Sequence, residues 1–231
     1  MLIPVYCLSG LGADERLFSK LNMPGVDLHY VKWQVPDPTD TLETYAQKLS
    51  GQIIHPQVIL LGVSFGGMLA SALLQQQAIA PGNHPFVIRK ALLVSSCSHA
   101  AQLPWFIRLA GRSGLCHPVP YRFAQHTNWL NRFIFDLRSS NEELYFKRIM
   151  LQQTNSHLLR HAVRMIGCWK QKQPPSGIIH IHGTADKLLP YNLVQANITI
   201  EKGGHFMIWN RAEEISTLLN TQFKMLENET V

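Results

Sequence analysis

The sequence predicts an α/β fold, about six mostly parallel strands flanked by helices, and three observations predict it. Short apolar runs alternate with helical patterns along most of the chain. Buried apolar strands joined by helices imply a parallel sheet covered on both faces. A purely helical stretch interrupts that rhythm between the fourth and fifth strands. Finally, the apolar run Val58–Leu61, the turn Gly62-Val63-Ser64-Phe65-Gly66-Gly67 and the apolar run Met68–Leu74 form a strand, a tight turn and a helix, with a serine at the turn.

In chain order, Ile3–Leu8 reads as a buried strand running into the glycine turn Ser9-Gly10-Leu11-Gly12. Asp14 is placed to cap a helix carrying Leu17, Phe18 and Leu21. Leu28–Trp33 is a second strand, broken by Pro36-Asp37-Pro38. Asp40 with Glu43 resembles a capping box opening a helix to about Ile54. After the serine turn and its helix, Pro81–Pro85 is a loop and Phe86–Val94 the fourth strand. From Ser98 to about Gln173 the patterns are helical, at Pro104–Leu109, Trp129–Leu137, Glu142–Leu151 and Leu158–Trp169. Strands resume at Ile178–Ile181 and Ala196–Glu201, and a helix from Ala212 to about Leu226 closes the chain. The expected division is a core of residues 1–97 and 177–231, with residues 98–176 inserted as a helical unit.

A chain of 231 residues, 46% apolar and 16% charged, suits one sizeable core. Its apolar stretches are too short to span a bilayer. Met1–Leu8 has neither a basic leader nor a small-residue cleavage site and reads as a strand. Cys7, Cys97, Cys116 and Cys168 are far apart and lack metal spacing, which favours free thiols and a cytoplasmic location. Asn197-Ile198-Thr199 matches a glycosylation pattern but falls in a predicted strand. The net charge of +6 is uneven: between Ser98 and Ser176 eleven Lys or Arg face three acids. Such a segment is either a solvated helical face or an attraction for an anionic substrate, an acidic partner or a membrane surface. No nucleic-acid motif accompanies it.

In a parallel sheet the site lies beyond the carboxyl ends of the strands. Four predicted strand ends carry unusual residues, Gly10–Gly12, Ser64, Asp186 and His205, and all four fall on one edge. A serine hydroxyl needs a neighbouring base, histidine suits that task, and a carboxylate orients the imidazole. Ser64, Asp186 and His205 occur in the order Ser, Asp, His, each after its own strand. His180 and His182 lie in or at the end of a strand, Glu201 precedes the glycines of the last strand, and Ser95–Ser98 holds no carboxylate. Asp186 and His205 are therefore the expected partners of Ser64. An oxyanion formed at Ser64 is expected to meet the backbone N–H groups of Phe65 and Leu11.

These motifs resemble the α/β-hydrolase superfamily, in particular its small capped serine hydrolases and esterases, over nearly the whole chain. The nucleophile turn is Gly62–Gly66, the acid loop His182–Asp186 and the histidine loop Gly203–Phe206. The family's oxyanion loop usually begins His-Gly, whereas Ser9-Gly10 stands here, and the family often has eight strands against six in this pattern. The resemblance implies a serine hydrolase acting on a carboxylic ester, thioester or amide through an acyl-enzyme, with no metal or organic cofactor. It implies that residues 98–176 form a cap that sets substrate choice. Trp105, Met150, Met165 and Met207 are candidate pocket residues, and Arg108, Arg112, Arg160 and Arg164 candidates to meet a substrate carboxylate. The competing expectations are a lyase using the same triad on an anionic small molecule, a non-catalytic ligand-binding homologue, and a hydrolase docking an acidic acyl-carrier protein.

Overall fold

The structure, a computed structural model, describes residues 3–82, 84–113 and 156–228. Six strands, β1 (Ile3–Leu8), β2 (Val26–Tyr30), β3 (Gln57–Val63), β4 (Val87–Val94), β5 (Ile178–Gly183) and β6 (Ile198–Ile200), form one sheet in the order β2-β1-β3-β4-β5-β6. Every neighbouring pair is parallel. The helices are α1 (Leu42–Ser50), α2 (Phe65–Ile79), α3 (Trp105–Arg112), α4 (Ser156–Gly167), α5 (Met207–Asn210) and α6 (Ala212–Asn228), with short 3-10 turns at Glu15–Phe18, Ala100–Gln102 and Tyr191–Leu193. The sheet is the predicted one, and the helical interruption falls between β4 and β5. The predicted helices at 129–137 and 142–151 lie outside the described residues.

Alternation along each strand builds two cores. Tyr6, Leu8, Val58, Leu60, Ile88 and Leu93 face α1, α2 and α4. Val5, Cys7, Ile59, Leu61, Leu92 and Val94 face the turn at Leu17 and Phe18 and the helices α5 and α6. Two-sided burial is what a continuous apolar strand sequence requires. The first ten residues of α2, Phe65–Leu74, are all buried, as expected of a helix apolar all round. Helices α3 and α4 cross where a Cβ on Gly111 would lie 2.5 Å from the Gly167 Cα, so the two backbones touch. Leu158, Ala162, Met165, Ile166 and Trp169, on and just after α4, share the core of α1 and α2. No helix among the described residues is long and apolar enough to cross a membrane.

Three local expectations are corrected. Asp14 does cap, accepting from the Arg16 N–H, but the helix is a single 3-10 turn, Glu15–Phe18, because the chain soon turns again at Pro24-Gly25. The capping box of α1 is Thr41 with Thr44, not Asp40 with Glu43. Thr44 N–H donates to Thr41 Oγ1 at 3.2 Å and Thr41 N–H to Thr44 Oγ1 at 2.9 Å, while Asp40 accepts the Thr44 hydroxyl at 3.0 Å. Strand β2 is shifted towards the N-terminus and leaves the sheet before Trp33. The indole N–H of Trp33 instead donates to the Ala13 carbonyl at 2.7 Å.

Strand β5 buries two histidines, His180 and His182, on one face. Burial, reinforced by the neighbouring His182, pushes the His180 pKa down to about 3. An unfolded histidine takes its proton near pH 6.5, so the unfolded chain binds more protons than the folded one between those values. Stability therefore falls as pH drops through that window. From pH 7 to pH 5, His180 accounts for a loss of about 2 kcal/mol. Urea unfolding of wild type and His180→Gln at the two pH values checks this: the variant should show a correspondingly smaller loss, and an unchanged difference would refute the assignment.

Candidate active site

The geometry begins with strain at one residue. Ser64, between β3 and α2, has φ 52° and ψ −117°, a region that non-glycine residues rarely occupy. Its surroundings hold it there. Ser64 N–H donates to the Val94 carbonyl of β4 at 3.0 Å, and the Ser96 hydroxyl donates to the Ser64 carbonyl at 2.6 Å. The flanking glycines supply space, not left-handed backbone. A Cβ on Gly62 would sit 2.5 Å from the Gly67 Cα, and one on Gly66 would collide with the carbonyl oxygens of Leu8 and Ser9. The turn thus wedges the start of α2 against the end of β1, and half-buried Ser64 stands at the carboxyl edge of the sheet.

Loops after β5 and β6 complete a hydrogen-bonded chain. His205 Nε2 lies 3.0 Å from Ser64 Oγ, and His205 Nδ1 lies 2.8 Å from Asp186 Oδ2. With the ring proton on Nδ1, His205 donates to the carboxylate and accepts from the serine hydroxyl. The other carboxylate oxygen, Oδ1, accepts from the N–H groups of Leu188 at 3.0 Å and Leu189 at 2.9 Å. Burial pushes the Asp186 carboxyl up, but the His205 charge and hydrogen bond, the Leu189 N–H and His182 outweigh it, and the pKa ends below the usual carboxylate value. Asp186 is therefore ionised at neutral pH. His182, whose pKa burial lowers, supports the loop: its Nε2–H donates to the Leu189 carbonyl at 2.8 Å and lies 3.5 Å from Asp186 Oδ2.

The first glycine loop runs beside the serine, since a Cβ on Gly10 would be 3.5 Å from the Ser64 Cβ. Its shape is closed from within. Ala13 N–H donates to the Gly10 carbonyl at 2.9 Å, and the Ala13 carbonyl accepts both Ser9 Oγ–H at 2.8 Å and the Trp33 indole. Ser9 is thus a loop-closing residue. Leu11 is half-buried in this loop, and Phe65 begins α2, where the first N–H groups have no intrahelical acceptor. The Phe65 ring stacks on Trp33 at 5.6 Å and on Tyr45 at 6.4 Å. Such an edge, with a helix N-terminus beside a serine, suits an oxyanion.

The structure brings Ser64, Asp186 and His205 together; Phe65 follows Ser64 directly, and Leu11 lies in the glycine loop whose Gly10 runs beside Ser64. The pocket candidates scatter. Trp105 is 71% exposed on α3, Met165 is buried in the core beneath α4, and Met207 is buried on the opposite face of the sheet, against Gly203. Met150 lies outside the described residues. The supporting roles of Trp33, Ser96 and His182 were not singled out from sequence. A signal existed only for His182, inside the acid loop; Ser96 and Trp33 act through contacts with distant turns.

Residues 5–218 match the model of the alpha/beta hydrolase family, and the chain belongs to that family. No match is found among curated proteins. Solved structures with the same fold include an esterase from Thermogutta terrifontis with malate bound, at TM-score 0.68 and 13% identity over 96% of this chain and 90% of that one. Est816, an N-acyl homoserine lactone degrading enzyme, superposes at TM-score 0.67 and 17% identity over 96% and 93%. ClbQ from the colibactin NRPS/PKS pathway does so at 0.63 and 15% over 98% and 99%. At these identities the likeness establishes the fold.

The wedge at Gly66 makes a sharp expectation. Gly66→Ala should destabilise the protein by about 3 kcal/mol or more, because the carbonyls it strikes belong to backbone that cannot swing aside. Thermal unfolding of the variant measures this, and a near-wild-type midpoint would contradict the contact.

Proposed function

We propose that this α/β-hydrolase is a serine hydrolase that cleaves a carboxylic ester, thioester or amide of small to medium size through an acyl-enzyme on Ser64. The observation that carries the reading is the unbroken chain from Ser64 Oγ through His205 to a buried, ionised Asp186. His205 takes the Ser64 proton at Nε2 as the oxygen attacks the substrate carbonyl. The N–H groups of Phe65 and Leu11 hold the developing oxyanion, and Asp186 stabilises the imidazolium through Nδ1–H. Collapse of the tetrahedral species expels the alcohol, thiol or amine, which takes the proton from His205. Water, deprotonated by His205, attacks the acyl-enzyme, and collapse returns the carboxylic acid and free Ser64.

Ester chemistry is further supported by the esterase and the lactone-degrading enzyme among the similar structures. In this reading residues 98–176 are the cap. Free Cys7, Cys97 and Cys168 are consistent with a reducing compartment such as the cytoplasm.

Two experiments test the reading. Wild type should react with a fluorophosphonate probe and turn over short p-nitrophenyl esters, whereas Ser64→Ala should do neither; a labelled, active Ser64→Ala would overturn the nucleophile. Asp186→Asn should keep its thermal midpoint within a few degrees yet lose about 10⁴-fold in kcat, because an amide cannot hold the required imidazole tautomer. Trapping a radiolabelled acyl group on Ser64 separates hydrolysis from a lyase reaction, which would leave no acyl group on the serine.

A further inference from the structure

Strand β2 lies at one end of the sheet order. Its residues Asp27 and His29 are two apart, so both project from one face of the pleat. Their register partners on β1 are Pro4 and Tyr6, so Asp27 lies near the amino end of β2 and His29 next to its last residue, Tyr30. From the connection between α1 and β3, His55 reaches the same place. The His29 and His55 rings are 4.6 Å apart, and His29 Nε2 lies 2.7 Å from Asp27 Oδ2. One ligating atom from each of the three side chains lies within 4.8 Å of the other two. All three residues are half-buried, so the cluster is formed by the fold yet open to solvent.

We propose that Asp27, His29 and His55 form a structural site for one divalent cation of the zinc class. Two imidazoles and a carboxylate suit Zn²⁺, Ni²⁺ or Co²⁺, whereas Ca²⁺ and Mg²⁺ take all-oxygen shells. A tetrahedral zinc shell with bonds of about 2.0 Å sets its ligand atoms roughly 3.3 Å apart. The observed separations, from 2.7 Å to within 4.8 Å, bracket that value, so side-chain rotation alone closes the shell. The cation replaces the hydrogen bond between His29 Nε2 and Asp27 Oδ2: the neutral imidazole binds it through Nε2 and keeps its ring proton on Nδ1.

Tyr6 supplies the outer support that metal-bound histidines need. Its ring stacks on His29 at 4.8 Å, and its hydroxyl lies 2.9 Å from His55 Nδ1. A His55 that ligates through Nε2 carries its proton on Nδ1 and donates it to the Tyr6 oxygen, which also accepts the Ile54 N–H at 3.1 Å. Water fills the remaining position. The bound cation fastens the edge strand to the α1–β3 connection, and because the unfolded chain holds no such cluster, binding stabilises the fold.

The test uses the full chain without an affinity tag. Calorimetric titration with Zn²⁺ should show one equivalent bound and a rise in the thermal midpoint, and Co²⁺ should give a saturable visible absorption. His29→Ala and His55→Ala should each abolish that binding, and Tyr6→Phe should weaken it about tenfold or more. Asp27→Asn serves where an alanine variant fails to fold. The control is His157→Ala with His161→Ala, since these two rings on α4 stack at 4.1 Å and form another imidazole pair. Retained binding in the control supports the proposal. No saturable binding by wild type, or binding that survives in folded His29→Ala and His55→Ala, overturns it.

Discussion

The contact between the start of α2 and the carbonyl end of β1 is the constraint on which the rest of the site depends. Gly66 stands so close to the Leu8 and Ser9 carbonyls that no side chain fits. That closeness forces Ser64 into a backbone conformation it would not choose, and the surrounding hydrogen bonds keep it there. The strain, of order 1–3 kcal/mol, is small against the burial of α2 between the sheet and α1. The same contact holds the first glycine loop against the serine. Ser64, the helix N-terminus and the loop are therefore positioned by one backbone packing event.

A second constraint is the burial of Asp186. An unpaired carboxylate with no exposed side-chain surface would be expensive, and the structure surrounds it with donors. Two backbone N–H groups hold one oxygen while His205 takes the other. The loop that provides those N–H groups is in turn fastened by His182 through the Leu189 carbonyl. His182 therefore lies outside the hydrogen-bonded chain from Ser64 to Asp186, yet it shapes the turn that makes Asp186 a strong acceptor. Its neighbour His180 is the cost of that architecture, a neutral ring kept where water cannot reach it.

The two edges of the sheet differ in kind. At the carboxyl edge, the strained turn at Ser64, the N-terminus of α2 and the loop at Gly10 meet. On the edge strand β2 and the α1–β3 connection, Asp27, His29 and His55 gather around Tyr6, held by stacking and hydrogen bonds rather than by strain. A cation there would act on the stability of β2 and leave the chemistry at Ser64 untouched.

The sheet, its covering on both faces and the meeting of Ser64, Asp186 and His205 were legible in the sequence because each rests on local pattern. Short apolar runs declare strands, a serine between glycines declares the turn, and Asp186 and His205 lie in the loops after strands that must end on the same edge. Local pattern also placed Asp14 as a cap, but it misplaced the capping box, since Asp40–Glu43 and Thr41–Thr44 share the same spacing and only the helix start distinguishes them. What the tertiary structure alone decided is what acts across distance in the chain. Ser96 bonds the Ser64 carbonyl over 32 residues, and Trp33 leaves its strand to close a loop 20 residues earlier. His55 meets His29 only because β3 follows a connection that returns to the edge of the sheet. Periodicity reports which way a side chain faces. It carries no information about which distant group waits there, because that is set by how the elements pack.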